Sequence, residues 1–254
     1  ALMLMCLAAL VLVPSFVPGA PLGWRSSTIS IHDLKALRAG NPATLEGVVT
    51  FADPRAYRFY MQDATGALRI QRRPQDHIPK SGDTVRIRGK LQGEYVPSLG
   101  MKSVDLTDVE VTITGRARVP NAERRAIVSL FFDTALQEFI RVETEGIVRA
   151  ARKHGDRIIL ELAQDGYRLP VTIHSAADAD PQTFLDTRVV VRGVIRRTYD
   201  ENSQNTTRVE DFPPEMFVAS LEDLAMRERA PVGAEYVASI HDLVADPQWV
   251  SRGH

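Results

Sequence analysis

The chain has 254 residues and a formal net charge of −1, with 25% charged residues and a pI near 6.7. This balance argues against a dedicated polyanion-binding domain but allows a local basic patch, and the length suits one or two domains with their own cores. Cys6 is the single cysteine, so the residues after it can form neither a disulfide nor a cysteine-based metal site.

An apolar leader comes first. Residues 1–22 carry no charged side chain and are rich in Leu, Val, Ala and Met, and Arg25 is the first charged residue. Such a stretch is typical of a signal peptide or a membrane anchor, and a buried helix of a soluble protein is the alternative. We therefore expect a protein at the cell membrane, with the following residues in the periplasm or the extracellular space.

A short helix is predicted over residues 30–37. Ser30 can cap it, and Asp33, three residues later, can return the hydrogen bond, while three apolar residues share one face: Ile31, Leu34 and Leu37. His32 beside Asp33 could also suggest a metal site or an acid–base pair. Capping explains these residues without a ligand.

Strand signals follow this helix, in residues 45–51, 56–62, 68–70, 85–88 and 109–113. The second segment alternates, which predicts Tyr57, Phe59 and Met61 on the core side and Arg58, Tyr60 and Gln62 on the other. Residues 63–66 have the composition of a tight turn, in which Asp63 can bond its own backbone and Gly66 can take a positive φ.

The same order of segments returns in a second module, in residues 143–150, 158–162, 169–173, 189–195 and 217–221. Residues 126–136 are predicted to be partly helical, and residues 180–185 to form a helical turn. Glycines inside the strands of both modules suit the coiling of a small closed barrel: Gly47, Gly89, Gly146 and Gly193.

A repeated string divides the chain. Ser30-Ile31-His32-Asp33-Leu34 recurs letter for letter as residues 239–243, 209 positions later. We therefore predict a leader at 1–22, a first module at 23–116, a second at 117–228, and a linker with the start of a third module at 229–254. The chain is expected to be a fragment of a longer protein.

The predicted fold class is all-β, mainly strands with short helices, as two tandem five-stranded OB-fold-like barrels plus the start of a third repeat. Five short strands in about ninety residues suit a small barrel, because closure removes exposed strand edges. A single β-sandwich built from all ten strands is the alternative.

The strings Gln62-Asp63-x-Thr65-Gly66 and Gly82-Asp83-x-Val85-x-Ile87-x-Gly89 carry a family resemblance. With the helix and the Leu-Glu-Gly-Val-Val strand, the chain resembles the tandem OB-like extracytoplasmic regions at the N-termini of bacterial membrane sensor proteins. Those regions precede a transmembrane helix and a histidine-kinase or diguanylate-cyclase output. The second module departs from the pattern, since Gln164-Asp165-Gly166 lacks the threonine.

The resemblance implies a non-catalytic sensory or ligand-binding region of a membrane-bound signal-transduction protein. No catalytic residue or cofactor belongs to it, and the sequence shows no phosphate-binding glycine loop, His-Glu-x-x-His or Gly-x-Ser-x-Gly motif. Expected partners are a small ligand or a periplasmic protein, the membrane through the N-terminal segment, and a second copy in the full-length protein, whereas nucleic acid is not an expected partner. A hydrolase with a scattered site is a weaker alternative.

A basic outer face is the candidate binding site, because OB-folds commonly bind ligands on the outer face of their second and third strands. In the first module this face is predicted to carry Arg58, Tyr60, Arg69, Arg86 and Arg88. These residues suit an anionic ligand or a stacked nucleobase. A second functional hypothesis is therefore a periplasmic or secreted module that binds single-stranded nucleic acid or oligosaccharide. A solvated face neutralised by carboxylates is the alternative, and the second module has no comparable stripe.

Overall fold

The computed structural model describes residues 27–34, 36–92, 95–96, 101–102, 105–133, 139–197 and 213–229. The predicted leader at 1–22 and the predicted third repeat from Ser239 lie outside these residues, so both stay predictions. Within the described part of the chain, no helix combines the length and the apolar character needed to cross a membrane.

The first barrel (barrel 1) is a five-stranded antiparallel sheet in the order β3-β2-β1-β4-β7. Side chains close it, since Arg69 reaches Asp105 at 3.4 Å and Arg72 Nη1 donates to the Val109 carbonyl at 2.6 Å. Its elements are α1 (Ile31–Leu34), β1 (Pro42–Asp53), β2 (Arg58–Gln62), β3 (Ala67–Gln71), β4 (Asp83–Gln92), the short pair β5 (Tyr95–Val96) and β6 (Met101–Lys102), and β7 (Asp105–Arg116).

The second barrel (barrel 2) closes through its backbone, because β9 pairs with both β10 and β12, and β11 pairs in parallel with β13. This ring, β9-β10-β11-β13-β12, is the strand order of an OB-fold. Its elements are β8 (Glu123–Arg124), α2 (Ile127–Phe132), β9 (Arg141–His154), β10 (Arg157–Gln164), β11 (Tyr167–Ile173), β12 (Thr187–Arg197), β13 (Pro214–Val218) and β14 (Leu224–Arg229), with a 3₁₀ turn at Pro181–Phe184.

Each barrel has a separate hydrophobic core, which confirms the predicted OB-like all-β fold and excludes the single sandwich. Phe59 and Met61 are buried in one core, and Leu160 and Leu162 in the other. Tyr57 is a correction: it was predicted on the core side but is 39% exposed. The 3₁₀ turn at Pro54–Ala56 ends on Tyr57 with φ 50°, which rotates the residue out of the strand alternation.

Close approach of neighbouring strands explains two of the glycines. A Cβ on Gly193 would lie 2.6 Å from the Phe217 carbonyl oxygen, and one on Gly47 would lie 2.8 Å from the Gln62 carbonyl oxygen. Backbone atoms cannot move away as a side chain can, so only glycine fits at either crossing.

The caps and turns follow the sequence with two differences. Ser30 Oγ accepts from the Asp33 amide at 3.0 Å as predicted, but α1 ends at Leu34 and the Asp33 carboxylate receives the Ser30 hydroxyl. Asp63 Oδ1 accepts from the Thr65 and Gly66 amides at 2.6 and 2.9 Å. Gly66 does not take the positive φ that was predicted, and the Asp63 amide also donates to the Gly66 carbonyl at 3.0 Å to close the turn.

Candidate functional site

The outer face of β2, predicted to be an open binding surface, is covered by barrel 2. Tyr60 lies at its centre and is 0% exposed. Its ring centroid is 5.3 Å from that of Phe139 and 6.3 Å from that of Phe217. Tyr60 is therefore a correction to the sequence analysis, since the side chain packs between the two barrels and not in solvent.

Apolar packing joins the barrels at this face. Phe51 on β1 stacks on Phe217 of β13, with centroids 5.6 Å apart and planes 24° apart. We call this set the aromatic contact: Phe51, Tyr60, Val194 and Phe217, flanked by Phe139 and Ala219. Its members come from both barrels, so the barrels share a small third core.

A buried carboxylate lies next to the aromatic contact. Asp53 ends β1, its side chain is 2% exposed, and Arg157 of barrel 2 donates to Asp53 Oδ1 at 2.8 Å. Arg58 lies 3.6 Å from the other oxygen, and His174 Nδ1 lies 3.9 Å from Oδ1. We call these four residues the Asp53 cluster. The cluster links the barrels by charge beside the aromatic contact, and a second ion pair joins Arg55 to Asp156 at 2.9 Å.

His174 is the titratable member of this cluster. Burial, reinforced by the positive charge of Arg157, lowers its pKa from 6.5 to about 4, although the Asp53 carboxylate opposes the shift. The imidazole also meets the Phe51 ring edge-on, with centroids 4.7 Å apart. His174 is therefore neutral at neutral pH and packs as an aromatic ring.

Positive charge surrounds Tyr60. The Arg58 and Arg196 guanidinium carbons lie 5.6 and 5.2 Å from the centroid of the Phe217 ring, which stacks on the Tyr60 ring. Burial raises the pKa of Tyr60, while the charges of Arg58, Arg196 and Arg69 act to lower it. The hydroxyl is therefore protonated at neutral pH and can donate a hydrogen bond.

The five predicted site residues fall into two groups. Arg58, Tyr60 and Arg69 lie together, because Tyr60 faces Arg69 across the β2–β3 ladder. Arg86 and Arg88 lie on β4, on the far side of β1, and both are exposed. Arg86 Nε donates to Glu46 at 2.7 Å. The structure therefore brings three of the five residues together and leaves two on a separate surface.

A polar cleft of about 290 Å³ opens at the end of the barrel contact. There the Arg141 amide donates to Gln62 Oε1 at 3.2 Å, which joins β9 to the end of β2. Asp63, Asn121, Glu123 and Arg125 also line the cleft. Among the described residues, no group of three or more His, Cys, Asp or Glu side chains could hold a metal ion.

Four residues of the barrel contact were not predicted from the sequence: Phe51, Asp53, His174 and Phe217. One local signal was available for the contact. Phe59-Tyr60-Met61 and Met216-Phe217-Val218 are runs of three apolar residues, which break strict alternation and indicate strands buried on both faces. No local signal marks His174, because its partners come from distant parts of the chain. Asp53 caps the Pro54–Ala56 turn and contacts the nearby Arg58, but its partner Arg157 lies in the other barrel.

No family model and no curated protein matches this chain. Among solved structures, it is similar to the hypothetical protein ygiW from E. coli, at 19% identity, over 34% of this chain and 91% of that chain, with a TM-score of 0.27. It is also similar to asparaginyl-tRNA synthetase of Entamoeba histolytica, at 16% identity over 54% of this chain and 31% of that chain, with a TM-score of 0.36. A murine DNA binding protein bound with double-stranded DNA matches at 10% identity over 75% of this chain and 100% of that chain, with a TM-score of 0.32. At these sequence identities and TM-scores, the similarity does not indicate the function of this chain.

Proposed function

We propose that this chain is a non-catalytic, extracytoplasmic sensory region in which two OB-like barrels respond to a ligand by a change in their packing. One observation carries the proposal: the face that OB-folds commonly use for ligands is covered by the neighbouring barrel through a contact that contains buried charges. A ligand or a change of conditions that acts on these charges acts on the barrel arrangement.

The energetics of such a contact support a switch. Burying Asp53 with Arg157 and Arg58 removes their hydration, and the attraction between the charges offsets that loss only while the geometry is good. The aromatic contact adds four buried residues and two partly buried ones. Contacts between domains of one chain generally allow relative motion unless they are large and hydrophobic. A ligand with unequal affinity for the docked and separated arrangements then shifts their populations.

A distance measurement between the barrels tests this switch. Nitroxide labels on Thr112→Cys of β7 and Gln182→Cys of barrel 2, both exposed positions, report the separation once Cys6 is replaced by serine. We expect one narrow distance distribution at neutral pH and a second, broader population in Asp53→Asn. An unchanged distribution in Asp53→Asn would contradict the proposed switch.

The proposed location needs its own test. A reporter that is active only outside the cytosol, fused after residue 229 of the chain with its leader intact, is expected to be active. A matched fusion that lacks residues 1–22 is the control and is expected to be inactive. A leader-bearing protein found only in the cytosol would overturn the extracytoplasmic part of the proposal.

A second candidate function rests on the exposed β4 surface. Arg86 and Arg88 remain open to solvent, so binding of single-stranded nucleic acid or oligosaccharide would occur there and not on β2. Nucleic-acid binding would weaken steeply as salt rises, because phosphate contacts release counterions. Titration of a fluorescent oligonucleotide at low salt checks this function, and no binding there would dismiss the nucleic-acid branch.

A further inference from the structure

Among the described residues at the barrel contact, the polar atoms buried without a hydrogen-bond partner include His174 Nε2 and three atoms of β2 and β3: Tyr60 Oη, Arg58 Nε and Arg69 Nε. Buried polar groups are almost always hydrogen-bonded, and an unpaired one destabilises the folded protein. Each of these three atoms is a hydrogen-bond donor, so a single acceptor group would satisfy them together.

The strand geometry brings these donors within reach of one another. Tyr60 and Arg69 are directly opposite in the antiparallel β2–β3 ladder. Arg58 is two residues before Tyr60 on β2 and points to the same side of the sheet. Side chains that are paired across strands, or two apart on one strand, lie about 5–7 Å apart at Cβ, which long arginine side chains span easily.

Arg58 and Arg69 keep N–H groups that can donate to a ligand. The nearest carboxylate oxygens are 3.4 Å from Arg69 and 3.6 Å from Arg58, which is longer than a charge-assisted hydrogen bond of about 2.7–2.9 Å. Both contacts use the Nη2 atoms and leave Nε without a partner. Arg196 of barrel 2 adds a third positive charge beside Phe217, with Glu215 as its ion-pair partner.

We infer that the contact between the barrels holds a binding site for a small anion, of the phosphate or carboxylate class. Arg58 and Arg69 bind the anion with the Tyr60 hydroxyl, and Arg196 closes the site from barrel 2. This inference rests on the proposed function and names the class of ligand for the same contact.

The composition of the patch favours an anion over the other ligands of an OB face. A nucleobase needs an exposed ring to stack on, but Phe139 and Phe217 already flank the Tyr60 ring. Since the positive groups come from both barrels, a bound anion stabilises the docked arrangement over the separated one. Binding of the anion therefore holds the two barrels together.

Binding of inorganic phosphate to the whole chain tests the site, by calorimetry and by thermal unfolding against sodium chloride at matched ionic strength. Sodium acetate is the second probe and separates the phosphate class from the carboxylate class. We expect saturable binding of one anion per chain and a melting temperature that rises with its concentration. The absence of binding by both anions would overturn the inference.

Matched variants locate the binding. Arg69→Gln is expected to weaken it about tenfold or more, because it removes a charged donor. Tyr60→Phe keeps the packing and removes only the hydroxyl, with a loss of severalfold expected. Arg86→Gln removes the same charge on the exposed β4 surface and is expected to leave affinity within about twofold. Equal losses in Arg86→Gln and Arg69→Gln would show diffuse surface attraction and overturn the site.

The nitroxide distance distinguishes this inference from the function on which it rests. Phosphate binding with a narrower distance distribution supports both. Phosphate binding by the folded chain with an unchanged nitroxide distance distribution, also in Asp53→Asn, supports the anion site and contradicts the switch. A distance that responds to Asp53→Asn in a protein that binds neither anion contradicts the anion site alone.

Discussion

The two barrels share an interior pattern and differ on the matching outer surface. On β2 of barrel 1, the outward side chains Arg58 and Tyr60 are covered by the neighbouring barrel. On β10 of barrel 2, the outward Ile159 and Glu161 remain partly exposed, and Glu161 pairs with Arg168 of β11. The inward residues therefore specify the barrel, and the outward residues specify which of its faces docks.

The helix that precedes the first long strand is attached in the same way in both barrels, although the residues that attach it differ. Asp63 Oδ2 accepts from the Ile31 amide at 2.7 Å in barrel 1, and Gln164 Oε1 accepts from the Ile127 amide at 2.7 Å in barrel 2. In each case the hairpin turn after the second strand binds the start of the preceding helix. The helix is held in place although the acceptor residue differs.

The largest expected effect comes from the buried charge of barrel 1. Asp53→Asn leaves Arg157 and Arg58 without their carboxylate, and we expect a loss of about 3 kcal/mol in the free energy of unfolding. Glu161→Gln, on the exposed face of barrel 2, is expected to cost less than about 1 kcal/mol. Urea unfolding of both variants checks the contrast, and equal losses would break the comparison of the two faces.

The interior glycines should behave alike in both barrels. Gly193→Ala forces a Cβ against the Phe217 carbonyl, and Gly47→Ala forces one against that of Gln62, so we expect losses of about 2–3 kcal/mol each. Gly115→Ala is the control, because its nearest neighbour is the Thr84 hydroxyl at 3.2 Å and its loss should be smaller. Thermal unfolding measures all three, and a tolerant Gly193 or Gly47 would contradict the close strand crossing.

The pH dependence of the free energy of unfolding tests whether His174 is buried as a neutral ring. Burial holds the pKa of His174 near 4, below its ordinary value of 6.5, so the unfolded chain binds its proton first. The stability that depends on neutral His174 is complete above about pH 6.5 and is lost progressively as pH falls towards 4. The charged groups that face the ring are Arg157, Asp53, Arg58 and Asp156.

Urea unfolding between pH 4 and pH 7 measures this effect. His174→Asn should reduce the slope of stability against pH, whereas His154→Asn, at the exposed end of β9, should leave it unchanged. The same slope in the wild type and in His174→Asn would contradict the buried neutral imidazole.

The smallest effect concerns the unpaired hydroxyl. Tyr60→Phe removes a buried oxygen without a partner, so in buffer free of phosphate and carboxylate we expect stability to rise by about 1 kcal/mol. Tyr57→Phe changes the same group at an exposed position and should have no effect. Calorimetric unfolding measures both, and a destabilised Tyr60→Phe would show that the hydroxyl already has a partner.

The interior was predictable because burial follows a period of two along short strands. Phe59, Met61, Leu160 and Leu162 are buried as the alternation predicted, since each strand turns one side to its own core. Tyr57 failed the same rule, because a 3₁₀ turn interrupts the strand just before it. No strand was predicted at β14 (Leu224–Arg229). This segment follows directly on a turn, and it pairs with the first half of β12 whereas β13 pairs with the second half.

Local pattern indicates that β2 and β13 are buried on both faces, but it does not show which residues meet in the barrel contact. Asp53 meets His174 only because two separately folded barrels dock, and their separation in sequence hides the pairing. An outward arginine also looks the same in sequence whether it faces solvent, as Arg88 does, or a neighbouring barrel, as Arg58 does. The five predicted site residues were assigned to one continuous open face, but in the structure Arg58, Tyr60 and Arg69 lie apart from Arg86 and Arg88.

The most direct test of the barrel contact is a nuclear Overhauser measurement between the Phe51 and Phe217 rings in isotope-labelled protein at neutral pH. The ring centroids are 5.6 Å apart across the two barrels, so cross-peaks between their ring protons are expected and should vanish in Phe217→Leu. Folded barrels that show no cross-peak between these rings would contradict the docked arrangement and the switch built on it.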